Sequence, residues 1–129
     1  DGLATYGNVK QAKANLMIAK TAYDNSVRQV ISNVQQAISN MQQAKETVDI
    51  QKANVLHAAE ALLLAQERLN AGAGVQLDVL NAQQQYTLAL RDLAQARFVY
   101  LMSKVKLSAL AGEDAVSSVD QVNAALVVQ

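Results

Sequence analysis

Large apolar residues recur every seven positions through the first half of the chain, and a second, smaller apolar position lies between them. With Val27 as heptad position a, every following a position up to Leu69 holds a large apolar residue, whereas the d positions from Val30 to Ala65 are mostly alanine. A repeat of about 3.5 residues per turn predicts a helix that packs as a left-handed coiled coil. The a positions are Val27, Val34, Met41, Val48, Val55, Leu62 and Leu69, and the d positions are Val9, Leu16, Tyr23, Val30, Ala37, Ala44, Gln51, Ala58 and Ala65.

The same pattern restarts after a short stretch that contains two glycines. Gly72 or Gly74 can adopt the left-handed conformation that ends a helix, and a link this short forces the next helix to run antiparallel to the first. Large a residues of one helix would then face small d residues of the other. We therefore predict an αα-hairpin with a helix over about 8–70, a turn over 71–76 and a helix over about 77–111. The second set of positions is Val79, Tyr86, Leu93, Tyr100 and Leu107 at a, and Ala82, Ala89, Ala96, Ser103 and Leu110 at d.

The two predicted helices differ in length, which leaves part of the first helix without a partner. At about 1.5 Å per residue the first helix is roughly 95 Å long and the second roughly 52 Å. The apolar positions upstream of Val34 therefore need another chain or a missing segment to cover them. A second apolar line on the second helix is typical of a helix with two neighbours, as in a closed cylinder, or of a simple bundle with a wide apolar face. That line comprises Leu90, Ala94, Phe98, Leu101 and Val105.

The last seventeen residues, 113–129, have a weaker pattern. Ser118 and Gln121 have the spacing of a capping box, which predicts a short helix from Val119 to about Val127. The predicted fold class is thus all-α, a long antiparallel coiled-coil hairpin with a short C-terminal helix.

The composition excludes most kinds of catalytic and metal-binding site. The chain has no cysteine and one histidine, His57, which occupies a polar c position and is expected to be solvated. We therefore expect no catalytic residues, no metal site and no cofactor. Eleven acidic and eleven basic residues balance, which argues against a nucleic-acid partner. Glutamines lie mostly outside the a and d lines, either as a solvated face or as a neutral wall of a water-filled space.

Several stretches of the sequence are similar to those of a known family. Residues 65–83 read AQERLNAGAGVQLDVLNAQ, residues 91–101 read RDLAQARFVYL, and residues 107–112 read LSALAG. Asp1-Gly2 at the start and VKQA at residues 9–12 fit the same family. Over nearly its whole length the chain resembles the TolC-like outer-membrane efflux and secretion channels, as the periplasmic hairpin of their second repeat. Because it begins without methionine, we expect it to be a piece of a longer polypeptide.

The resemblance implies a role in a larger assembly. It implies a homotrimeric channel held in the outer membrane of a Gram-negative type bacterium by β-strands that this sequence lacks. The helices form a passive periplasmic α-barrel for drug efflux, and hence multidrug resistance, or for type I secretion. An inner-membrane pump and a periplasmic adapter protein would be its partners. The alternatives are the hairpin of an adapter, whose usual tip motif is absent here, and a coiled-coil scaffold without a pore.

The resemblance also assigns residues at the hairpin tip. Asp78 matches an aspartate that lines the closed pore, and Asn81 stands where the best-known member has a second aspartate. Gly74 and Leu69 replace an arginine and a tyrosine of that member. The closed tip would thus depend more on packing than on salt bridges. The turn that would dock the adapter comprises Ala71, Gly72, Ala73, Gly74, Val75 and Gln76.

Overall fold

The computed structural model describes residues 1–127, with the side chains of 114, 115, 117, 118, 121, 122 and 125–127 outside the described part. Two helices account for this range, α1 from Gly2 to Asn70 and α2 from Gln76 to Val127. They pack as an antiparallel hairpin, which confirms the all-α prediction. The chain divides into two compact units, residues 1–36 and residues 37 onward.

Both helices are longer than the sequence pattern predicted. α1 begins at Gly2 rather than near Asn8, and α2 continues through Gly112 instead of ending at Ala111. A single glycine inside a helix costs only about 1 kcal/mol relative to alanine, and no proline is present to break either helix. Residues 119–127, expected to form a separate short helix, are the last turns of α2. The side chains of Ser118 and Gln121, the expected capping pair, lie outside the described part.

The unit that starts at Ala37 contains the packed part of the hairpin. Every a and d position from Ala37 to Leu69 and from Val79 to Leu110 is buried or partly buried, as predicted. Three of its six buried residues are alanines at d positions, so the two backbones approach closely beside large residues of the opposite helix. The buried residues are Ala37, Ala44, Val48, Val79, Leu93 and Ala96.

One cluster sets the register of the two helices. Val48, Leu93 and Ala96 form its buried centre, and Val55 and Tyr100 pack against them. In an antiparallel pair this cluster places residues 48–55 of α1 at about the height of residues 93–100 of α2.

Residues 1–36 form a helical unit whose surface differs from that of the packed hairpin. Every residue from Asp1 to Asn33 is exposed, including the predicted seam residues. Leu16 is 71% exposed and Tyr23 is 60% exposed. Over the described residues, the exposure of these apolar positions agrees with the expectation from the sequence.

Candidate functional site at the hairpin turn

The turn between the helices is tied to the last turn of α1 by backbone hydrogen bonds. The amides of Ala73 and Gly74 both donate to the carbonyl oxygen of Arg68, at 2.9 and 3.0 Å. The amide of Gly72 donates to the carbonyl of Leu69 at 3.0 Å, and that of Ala71 to the carbonyl of Glu67 at 3.0 Å. These bonds satisfy carbonyl groups that the end of a helix otherwise leaves unpaired. The turn therefore has a defined backbone conformation.

Two glycines are required by this geometry for different reasons. Gly72 has φ of 76°, a left-handed conformation that side chains other than glycine adopt at a cost. Gly74 lies against the helix end, because a Cβ there would be 3.0 Å from the amide nitrogen of Leu69 and 3.1 Å from the Cβ of Arg68. Sequence reasoning named both glycines as candidates for the left-handed position, and the structure assigns that conformation to Gly72.

The predicted pore-lining pair lies directly after the turn. The amide of Asp78 donates to the carbonyl of Val75 at 3.1 Å, which places Asp78 in the first turn of α2. A carboxylate at this position interacts favourably with the helix dipole. Asn81 follows at three-residue spacing, so the two side chains lie on one side of α2, and both are exposed. Over the described residues Asp78 forms no ion pair. The role of the pair as a pore lining stays a prediction.

Sequence reasoning named Val75 as part of the docking turn but missed two exposed leucines beside it. Val75, Leu77 and Leu80 are 57, 63 and 52% exposed, although such side chains are normally covered. Leu77 and Leu80 fall at heptad positions f and b, outside the a and d lines that pack within the hairpin. This mismatch between residue type and heptad position was the available signal. We call these three residues the tip patch.

Side chains capable of binding a metal ion are not grouped in the part of the chain that the structure describes. No cluster of three acidic or histidine residues there could hold a metal ion. His57 lies 4.0 Å from Glu60, and both side chains are 77% exposed. Over the same described residues, neither helix includes a segment with the length and hydropathy needed to cross a membrane.

Comparison with known proteins assigns the chain to a family. The family model described as "Outer membrane efflux protein" matches residues 1–113. Among curated proteins, the chain is similar to the "Proteases secretion protein PrtF" of Dickeya chrysanthemi, with 24% identity over 111 residues. The match covers 86% of this chain and 24% of the relative, so the chain spans about a quarter of that protein's length. No solved structure matches.

The long hairpin and the family match define the kind of protein. The chain belongs to the outer membrane efflux protein family, because the family model covers more than half of it. The resemblance found from the sequence alone is confirmed.

Proposed function

We propose that this chain is the periplasmic α-barrel hairpin of a trimeric outer-membrane channel, a passive conduit for drug efflux or type I secretion. One observation carries the proposal: the family match, over residues 1–113, includes all of the packed stripe that the structure describes, from Ala37 to Leu110. The family match thus covers the residues that follow the heptad pattern. The name of the relative, a protease secretion protein, supports secretion as one of the two uses.

The surface of the hairpin suits a conduit. Its amide-rich positions outside the packed stripe carry no charge, so a wall built from them would not retain charged solutes. Among these positions are Gln42, Gln43, Gln83, Gln84 and Gln85, all exposed. The selection of cargo would then lie with an inner-membrane pump that engages the channel, and multidrug resistance would follow where that pump exports drugs.

The tip turn is the proposed docking point for a periplasmic adapter. Its backbone is fixed by hydrogen bonds, and the tip patch presents apolar side chains around it. A rigid turn with exposed apolar residues loses little conformational entropy when a helical partner covers it. Of the alternatives, an adapter hairpin or a scaffold without a pore, neither is favoured by the family match.

Asp78 provides the test of the pore role. In the full-length channel that contains this hairpin, we expect Asp78→Ala to weaken block by divalent cations about tenfold, because a carboxylate in a narrow pore attracts cations. Single-channel conductance in planar bilayers measures this block. Asp49→Ala removes an exposed carboxylate far from the turn and is the control. Unchanged block in the Asp78 variant would remove Asp78 from the pore.

A second test concerns the docking of the adapter. We expect Leu77→Glu together with Leu80→Glu to reduce copurification of the full-length channel with its adapter at least tenfold, because charge is introduced into an apolar contact. Leu56→Glu alters a leucine that is 64% exposed and lies about 21 Å along α1 from the turn, and serves as the matched control. Equal copurification of all variants would place the adapter elsewhere on the channel.

A further inference from the structure

An open groove runs beside the packed stripe, on the side of the hairpin where the g positions of both helices lie. Its volume is about 490 Å³, and every residue that lines it belongs to the unit that begins at Ala37. That volume is within the range of small-molecule sites. From α1 the groove takes Ala37 and Asn40, and from α2 it takes Phe98, Val99, Met102, Ser103, Val105 and Lys106. We call it the g groove.

The wall of the g groove is apolar over about two helical turns. Phe98, Val99, Met102 and Val105 are all exposed there, along about 11 Å of α2. The hydroxyl of Ser103 donates to the carbonyl oxygen of Val99 at 2.8 Å, so this polar group already has a partner within the helix. A hydrocarbon chain that lies along this wall leaves water and covers apolar surface, which is favourable.

One end of the g groove has a positive charge. Lys106 is the one charged side chain among the described residues that line the groove, and over the same part of the chain it has no carboxylate partner. The nearby Lys104 differs, because its ammonium nitrogen lies 5.0 Å from the centroid of the Tyr100 ring and it occupies an e position on another side of α2. The ammonium group of Lys106 is therefore available to an anionic group of a ligand.

Toward the hairpin turn the groove becomes polar. Beyond Val99 a smaller hollow of about 270 Å³ is lined in part by Thr47, Gln51, Asp92 and Gln95. The carboxylate of Asp92, which lies 3.3 Å from the guanidinium of Arg91, is about 21 Å along α2 from Lys106. A ligand with one anionic end is thus favoured with that end at Lys106 and away from Asp92.

We propose that the g groove binds a free fatty acid of medium chain length. Its hydrocarbon chain lies along Val99 and Met102, and its carboxylate pairs with the ammonium group of Lys106. One lysine matches one negative charge, and a short chain fits within the apolar stretch, whereas a helical peptide would extend into the polar one at Asp92. The proposal goes beyond the channel role and does not depend on it.

Nuclear magnetic resonance of the whole 129-residue chain tests the location. Dodecanoate is added below its micelle concentration at about pH 8, where its carboxylate is ionised. We expect the changes in chemical shift at residues 98–106 and 37–40 to be at least threefold larger than at residues 14–25. The latter stretch lines another open apolar groove that has no charged residue in its wall, and it is the internal control.

Each other outcome of the titration overturns the proposal. Equal changes at both grooves would indicate that hydrocarbon chains adsorb to any exposed apolar surface. Changes at the g groove that require phosphatidylglycerol vesicles, and are absent with dodecanoate, would indicate binding to an anionic membrane surface. No change at residues 98–106 would show that the groove does not bind a fatty acid.

The charge of the ligand tests the role of Lys106. In isothermal titration calorimetry we expect dodecanoate to bind at least threefold more tightly than dodecyltrimethylammonium, because only the anion pairs with the lysine. Lys106→Gln should abolish this preference. Lys104→Gln removes the same charge two residues away on another side of α2 and should retain it. A preference that persists in the Lys106 variant would exclude this residue as the site of the carboxylate.

The apolar wall gives an independent readout. Met102→Gln keeps the length of an exposed side chain but places an amide against the hydrocarbon chain, so we expect dodecanoate to bind about fivefold more weakly. Leu101→Gln makes a similar change at the adjacent exposed position, outside the groove, and should leave the affinity within about twofold. Circular dichroism verifies that both variants keep their helices. Unchanged affinity of the Met102 variant would contradict the proposed path of the chain.

Discussion

Residues 1–33 and the hairpin that begins at Ala37 share one heptad frame, yet their surfaces differ completely. In the hairpin all a and d positions up to Leu69 are at least partly buried, whereas upstream of Val34 none is. The d positions explain much of the contrast. They are large in the first region, at Val9, Leu16, Tyr23 and Val30, and mostly alanine in the second. Small d residues allow the close approach that a partner helix needs.

The sequence of the second helix changes in a similar way. Its apolar line ends at Leu110, and the positions that continue it in the sequence are Asp114, Ser117 and Gln121. Polar side chains contribute little free energy when they cover apolar residues. The a positions of the first region also include Lys13 and Lys20, whose charges would be costly to bury without a partner. A continuous heptad pattern therefore predicts a helix more securely than it predicts a partner.

The largest expected effect comes from removing a core leucine in the packed region. Leu93 is 7% exposed and belongs to the central cluster, so Leu93→Ala should lower the free energy of unfolding by about 2–4 kcal/mol. Leu16→Ala makes the same change at an exposed position of the first region and should cost less than about 0.5 kcal/mol. Urea unfolding followed by circular dichroism measures both. Equal effects would mean that residues 1–33 are packed in solution.

The next effect tests the close approach of the helices. Ala96 is 6% exposed at a d position, so Ala96→Leu should lower the free energy of unfolding by about 1–3 kcal/mol through overpacking. Ala22→Leu inserts the same side chain into the exposed first region and should change stability by less than about 0.5 kcal/mol. Thermal unfolding measures the stability of the two variants. A tolerated leucine at position 96 would contradict tight packing around the small d residues.

The sequence predicted the packed stripe residue by residue because burial there follows from one period shared by both helices. It did not predict where α2 ends, since Gly112 is a weak signal that the surrounding helix outweighs. The tip shows the same division. The turn at residues 71–76 followed from its glycines, whereas Leu77 and Leu80 fall outside the a and d lines from which packing was predicted. The pore role of Asp78 depends on neighbouring chains, which one sequence does not describe.

The smallest effect contrasts two glycines, one in each region. Gly72 has φ of 76°, so Gly72→Ala should lower the free energy of unfolding by about 1–2 kcal/mol through backbone strain. Gly7 lies inside α1 with open space around it, and Gly7→Ala should instead raise helix content and stabilise the first region by up to about 1 kcal/mol. Circular dichroism during heating measures both changes. The two changes in the free energy of unfolding must have opposite signs, because the left-handed turn requires Gly72 whereas Gly7 only weakens a helix. A stabilising Gly72→Ala would contradict a left-handed conformation at this position.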